Sequence, residues 1–224
     1  MTKTELLNSF YIQKNFNELI QNLENSQNKQ ELVFLARSYL EIENYEKASY
    51  IYAKLGMLYE FGRCELLRGN IENTQDIWKN IKEETPATLW GKSLLQCINL
   101  YVTNIPTFFQ IRAFLEVDLD SLLKANQITY CENIVNCAHL LYQNNQEVYK
   151  FIGRVFLNNN YFELADMFLQ KAKDVCYVDP EVHFMLAKCY IHYKDIKKAK
   201  QALNTSIEKG YGYFPAKRLL EQIK

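Results

Sequence analysis

The chain has 224 residues, 48% of them hydrophobic and 23% charged, with only 7 Gly and 4 Pro. So few turn formers leave little room for the tight turns of a many-stranded fold, and helices are favoured. Lys plus Arg and Asp plus Glu stand at 26 each. No global field therefore holds a polyanion or an anionic bilayer, and nucleic-acid and membrane partners are not expected.

Residues 1 to 15 contain no apolar run long enough for a signal peptide, and no stretch approaches the roughly 18 uncharged apolar residues of a membrane span. The expected location is cytoplasmic. Six cysteines (Cys64, Cys97, Cys131, Cys137, Cys176 and Cys189) lie in apolar patterns without C-x-x-C spacing and read as reduced core or near-core thiols.

In chain order, NFNELIQNL (Asn15 to Leu23) reads as the second helix of an N-terminal unit. LVFLARSYLEIENYEKASYIYAKL follows, with Leu35, Ala36 and Tyr39 on one helical stripe and Tyr45, Ala48 and Tyr52 on the next. A third hairpin is recognisable between Gly56 and Ile81, with Thr74 in the place of the second-helix Ala. From Pro86 to Gln143 no period is visible, and separate helices are expected at Thr107 to Glu116, Asp118 to Lys124 and Ile128 to Tyr142. The segments starting at Glu147 and Glu181 then align at an offset of 34: Ile152 on Leu186, Gly153 on Ala187, Phe156 on Tyr190, Ala165 on Ala199, Leu169 on Leu203. A last helix, Phe214 to Ile223, has the character of an end cap. Pro86, Pro106, Pro180 and Pro215 fall at or near helix starts, and Asp118, Asn144 and Asp195 are candidate N-caps.

These residues resemble the tetratricopeptide repeat: a large residue, a Leu-Gly position and a Tyr in the first helix, then Ala and an aromatic in the second. The match is specific over about residues 29 to 55 and 146 to 213. The resemblance implies an all-α, right-handed superhelical solenoid of antiparallel helical hairpins, about 13 to 15 helices in all. It would form one array: N-terminal repeats over 1–85, an irregular helical segment over 86–143, two regular repeats over 144–213 and a capping helix over 214–224. It also implies that the first helices line a concave face.

With Leu35 at zero on the helical wheel, Ala36 lies at about 100° and Arg37 near 200°, so Arg37 leaves the packing stripe. The equivalent residues Arg37, Arg63, Lys92, Arg154 and Lys188 are all basic. Lys150 and Phe184 stand one turn before Arg154 and Lys188 on the same face. Two readings follow. In one, Arg37, Arg63, Lys92, Lys150, Arg154, Phe184 and Lys188 recognise a protein or peptide carrying acidic groups, in a helical-repeat adaptor. In the other, the cations snorkel from a crowded face and balance acids such as Glu41 or Glu65, in a structural or oligomerising module, or an accessory domain of an enzyme assembly.

His183, Cys189 and His192 are close in sequence but lack a second ligand pair at a zinc-like interval. Cys131, Cys137 and His139 do not share a helical face as a thiol–imidazole pair would. Without a phosphate loop, an H-E-x-x-H or a G-x-S-x-G, neither a cofactor, a metal nor catalysis is expected. Most of the 16 Tyr and 13 Phe fall on packing registers, so core is the better account of them than base stacking.

Overall fold

A computed structural model describes residues 3–223, with side chains from Leu7 onward. Residues 1, 2 and 224 of the expected array lie outside it. The described residues form fifteen helices and no strand. They fall into two compact units, residues 1–95 with 125–127 and residues 96–124 with 128–224. The first contains α1 (Lys3–Ile12), α2 (Phe16–Leu23), α3 (Lys29–Glu41), α4 (Tyr45–Leu55), α5 (Leu58–Leu67), α6 (Ile71–Lys79) and most of α7 (Pro86–Ile98). The second contains α8 (Phe108–Lys124), α9 (Ile128–Asn136), α10 (Ala138–Leu141), α11 (Val148–Asn158), α12 (Phe162–Val175), α13 (Pro180–His192), α14 (Ile196–Lys209) and α15 (Phe214–Gln222).

One turn joins the helices of every hairpin. A residue with left-handed backbone ends the first helix: Lys14, Glu43, Gly69, Asn126, Asn160 or Lys194, with φ between 57° and 84°. In five of the six the next residue donates its amide back to a carbonyl five residues earlier, as Asn44 does to Tyr39 at 2.8 Å and Asp195 to Tyr190 at 2.9 Å. One residue later the second helix begins on an apolar side chain (Phe16, Tyr45, Ile71, Ile128, Phe162 or Ile196). In two cases the linking residue also caps that helix, Asn44 accepting from the Lys47 amide and Asp195 from the Lys198 amide.

The turn reveals a repeat where no period was visible. Asn126, Asn160 and Lys194 are spaced by 34, so α8 and α9 form a hairpin in phase with the two regular ones. The expected break before Asp118 does not occur. Ile111, Leu115, Leu119 and Leu122 continue one buried stripe, and α8 is a single helix in which Asp118 is a buried interior residue, not a cap. Asn144 is likewise no cap: its amide donates to the Pro106 carbonyl, while Asn145 accepts from the Glu147 amide beside the start of α11. The expected Ile128–Tyr142 helix is interrupted at Cys137. Asp195, Pro86, Pro180 and Pro215 stand where expected.

Within a hairpin, a small residue of the first helix lets the second approach. A Cβ on Gly153 would lie 2.8 Å from Leu169 Cγ, and one on Gly62 only 2.2 Å from the indole nitrogen of Trp78. Trp78 stacks on Tyr59 and donates to its carbonyl, and its ring also covers Gly91. Thr74, which replaces the second-helix Ala, sends its hydroxyl to the Gly62 carbonyl at 3.2 Å. In the hidden hairpin Cys131 does the same toward the Leu119 carbonyl at 3.9 Å. Leu119 and Cys131 therefore hold the Gly62 and Thr74 positions with larger or softer side chains, which erased the signature. Five of the six cysteines are buried; Cys176, at the end of α12, is exposed and departs from the expected core placement.

In the first unit one buried carboxylate ties three elements together. Glu65 of α5 accepts from Ser49 of α4 at 2.5 Å, from Arg68 at 2.7 Å, and from Asn70 and Asn73 at the start of α6, both at 2.9 Å. Burial by itself raises its pKa, but the four donors outweigh that and hold it at about 2. A carboxyl depressed in the folded chain stabilises fully above its ordinary value near 4.5, and that stability is lost as the pH falls toward about 2. Glu65→Gln should cost on the order of 2–3 kcal/mol at neutral pH and flatten the acid limb of a urea-unfolding series between pH 5 and pH 2. Gly62→Ala should cost about 2–3 kcal/mol because the indole of Trp78 has to shift, read from the same denaturation curves.

Candidate functional site

In the first unit, Arg37 is exposed and makes no ion pair among the described residues. It lies near the phenols of Tyr11 and Tyr52. Tyr11 donates to Glu41 at 2.8 Å, and burial, helped by that carboxylate, pushes its hydroxyl up to about 12. Arg63 is half-buried, close enough to Tyr45 and Tyr52 to lower both phenol pKa values against the larger effect of burial. Lys92 is half-buried. Of the two acids expected to balance these cations, Glu41 takes the Tyr11 hydroxyl and Glu65 is filled by Arg68, Ser49 and the two asparagines.

The same unit carries a groove of about 590 Å³ between the α2–α3 connection and α4. Leu32, Leu35 and Ile51 form its apolar floor, and Lys47 lies over the Tyr39 ring at 5.0 Å. Nothing in the sequence marked it, because its parts are ordinary packing residues of three separate segments.

In the second unit the offset of 34 defines one register of each first helix, Glu116 and Asp120 on α8, Lys150 and Arg154 on α11, Phe184 and Lys188 on α13; Lys188 is exposed, Lys150 is buried and the other four are half-buried. The hidden hairpin thus places acids where its neighbours place cations, which sequence reading missed along with the hairpin. Asp120 binds Lys124 at 2.6 Å and the Asn159 amide at 2.7 Å.

Lys150 and Arg154 lie at the centre of an ion network linking α8, α11 and α13. The Lys150 ammonium, 11% exposed, meets Glu147 at 2.5 Å, Asp179 at 2.9 Å and Glu181 at 3.8 Å. Burial lowers its pKa, but hydrogen bonds from the ammonium to Glu147 and Asp179 outweigh this and hold it above the ordinary lysine value. Arg154 reaches Glu116 through Nη1 at 2.9 Å and Glu181 through Nη2 at 2.7 Å, while its buried Nε has no partner. Glu116 is raised above the usual carboxylate range, burial and the nearby Glu181 and Asp120 prevailing over Arg154. Arg112 touches the outer oxygen of Glu147 at 3.8 Å.

Lys188 differs. It is exposed, it forms no ion pair among the described residues, and its ammonium sits 5.0 Å from the centre of the Phe184 ring. Tyr213 meets that ring edge-on at 5.7 Å. Burial, with the charges of Glu181 and Asp179, raises the Tyr213 phenol. An ammonium over an aromatic face, beside a half-buried phenol, suits an acidic group attached to an apolar stem.

The histidines have local partners. His183 bonds the Tyr177 carbonyl at 2.6 Å, His192 stacks on Phe162 at 3.6 Å, and His139 bonds the Asn136 carbonyl. Cys131 and Cys137 direct their thiols at the Leu119 and Cys97 carbonyls. Among the described residues no group of three or more His, Cys, Asp and Glu is placed to hold a metal ion, and no helix is long and apolar enough to cross a membrane.

No family model matches the chain, and no curated protein matches it at a significant level. Among solved structures it is similar to YrrB, described as a TPR protein with an unusual peptide-binding site, at 14% identity and a TM-score of 0.38 over 92% of this chain and 97% of that one. It is similar to a chain of the APC/C hetero-tetramer Cut9-Hcn1 at 15% identity and a TM-score of 0.38, over 97% of this chain but 48% of that one. A third likeness is to the TPR2AB domain of yeast Sti1, described as a TPR2AB-domain:pHSP90 complex, at 16% identity and a TM-score of 0.36 over 97% of this chain and 93% of that one.

The two kinds of cation should separate in stability. Lys150→Met leaves the half-buried Glu147 and Asp179 without their shared ammonium and should cost about 2 kcal/mol. Lys188→Met should stay within about 0.5 kcal/mol of the parent. Paired chemical-denaturation curves measure both.

Proposed function

We propose that the chain is a helical-repeat interaction module that binds a protein or peptide carrying acidic groups on the basic register of its first helices. The observation that carries this reading is Lys188, a cation held over the Phe184 ring with no ion pair among the described residues. Desolvating such a charge is favourable only when a partner supplies an anion, and the Phe184 and Tyr213 rings supply the apolar flank for the stem that bears it. Arg37 plays the corresponding part in the first unit, with Arg63 and Lys92 beside it on the register. Lys150 and Arg154 are the secondary contacts, since acids of the chain already engage them. Binding by such a face requires neither a cofactor nor catalysis, and a cytoplasmic setting fits the thiols.

A second reading has one observation in its favour. Lys150 and Arg154, the densest charge on the register, are neutralised inside the fold, as in a module whose role is purely structural.

A peptide array of extended sequences differing in charge, probed with the full chain, separates the two. Acidic peptides should be retained over neutral and basic ones, and Lys188→Glu should weaken the best of them by about tenfold, a change typical of losing one charge-assisted contact. Its melting curve should overlay that of the parent. Equal retention of acidic and basic peptides would assign the chain to the structural reading.

A further inference from the structure

We propose that Glu181 is an internal stand-in for a ligand's carboxylate: it fills, from within the chain, a carboxylate site made by Arg154 and Lys150, and an acidic segment binds there by displacing it. This rests on the reading of the first-helix face given above and adds its regulation.

One oxygen of Glu181 faces both cations, 2.7 Å from Arg154 Nη2 and 3.8 Å from Lys150 Nζ. The other acids of the network are committed elsewhere. Asp179 spends its second oxygen on the Glu181 amide as the N-cap of α13, Glu147 also meets Arg112, and both oxygens of Glu116 lie on Arg154 Nη1. Among the described residues the Glu181 carboxylate pairs only with the two cations, and it is the most exposed of the four acids, at 38%. It sits in the first turn of α13, where its side chain can swing into solvent without disturbing the helix.

The site is also incompletely filled. A guanidinium presents Nε and Nη2 along one edge, matched to the two oxygens of a carboxylate. Glu181 takes Nη2 and leaves the buried Nε without a partner. A carboxylate arriving along that edge engages both nitrogens and restores the charge balance that the departing Glu181 upsets. The exchange is one anion for another, so the internal acid sets the affinity without abolishing it.

The test is fluorescence anisotropy of the full chain with fluorescein-labelled hexaglutamate, amidated at its C-terminus. Hexaglutamine with a free C-terminus serves as a second probe, distinguishing a side-chain carboxylate from a terminal one. Glu181→Gln should tighten hexaglutamate binding about tenfold, within the usual range of coupling between sites. Adding Arg154→Gln should remove the gain, and Glu208→Gln, which deletes an equal charge away from the network, should leave Kd unchanged. A Glu181→Gln Kd within twofold of the parent, or a gain matched by Glu208→Gln, overturns the proposal. Lys188→Glu in the parent background reports on the underlying reading separately: weakened binding there with no effect of Glu181→Gln means the face takes acidic segments but Glu181 does not gate it. If neither peptide binds any variant, both fall. Thermal melts of each variant confirm that it is folded.

Discussion

The fold depends on a turn that serves two helices at once. In each hairpin a single left-handed residue ends the first helix, and in all but the α8–α9 hairpin the next residue donates back to close that end just before the second begins. The left-handed conformation costs a non-glycine residue roughly 1 kcal/mol, offset by amides and carbonyls that would otherwise be orphaned at two helix ends. Because the turn has no slack, the two helices meet at a fixed register, and the position seven before the turn, small in most hairpins, is set against the position five after it. Gly153 with Ala165, Ala187 with Ala199 and Gly62 with Thr74 are instances of that one spacing.

The same spacing determines what is left over for function. Once the small residue is committed to the partner helix, its successor points away from the contact, and that successor is the register residue: Arg37, Arg63, Asp120, Arg154 or Lys188. Packing dictates the direction of these side chains but not their charge. In the second unit the charges alternate from helix to helix, acids on α8 and bases on α11, so the register partly neutralises itself across helix boundaries. Lys188 stays available because α13 offers it an aromatic ring in place of an acid.

Buried polar groups add specificity to a core that is otherwise generic. Glu65 gathers donors from α4, α5 and the start of α6, and it tolerates burial because every lone pair it presents meets a donor. The Lys150 and Arg154 network does the equivalent work among α8, α11 and α13, with one unmet donor at Arg154 Nε. That difference separates a saturated structural knot from a network with room for exchange.

The sequence by itself determined the helical class, the hairpins wherever small residues kept their places, and the direction of the register side chains, because these follow from the 3.6-residue period and the spacing of Gly and Ala along one chain. It did not disclose the hairpin of α8 and α9, since Leu119 and Cys131 fill the small positions there and only the backbone angle at Asn126 exposes the phase. Nor did it indicate which cations are free. Lys150 and Lys188 look alike in sequence, one turn removed from a small residue or directly beside it. Their fates differ because Asp179 and Glu181 reach Lys150 from the next repeat, while no acid reaches Lys188 among the described residues, and charge pairing across such distances is decided only when the chain has folded.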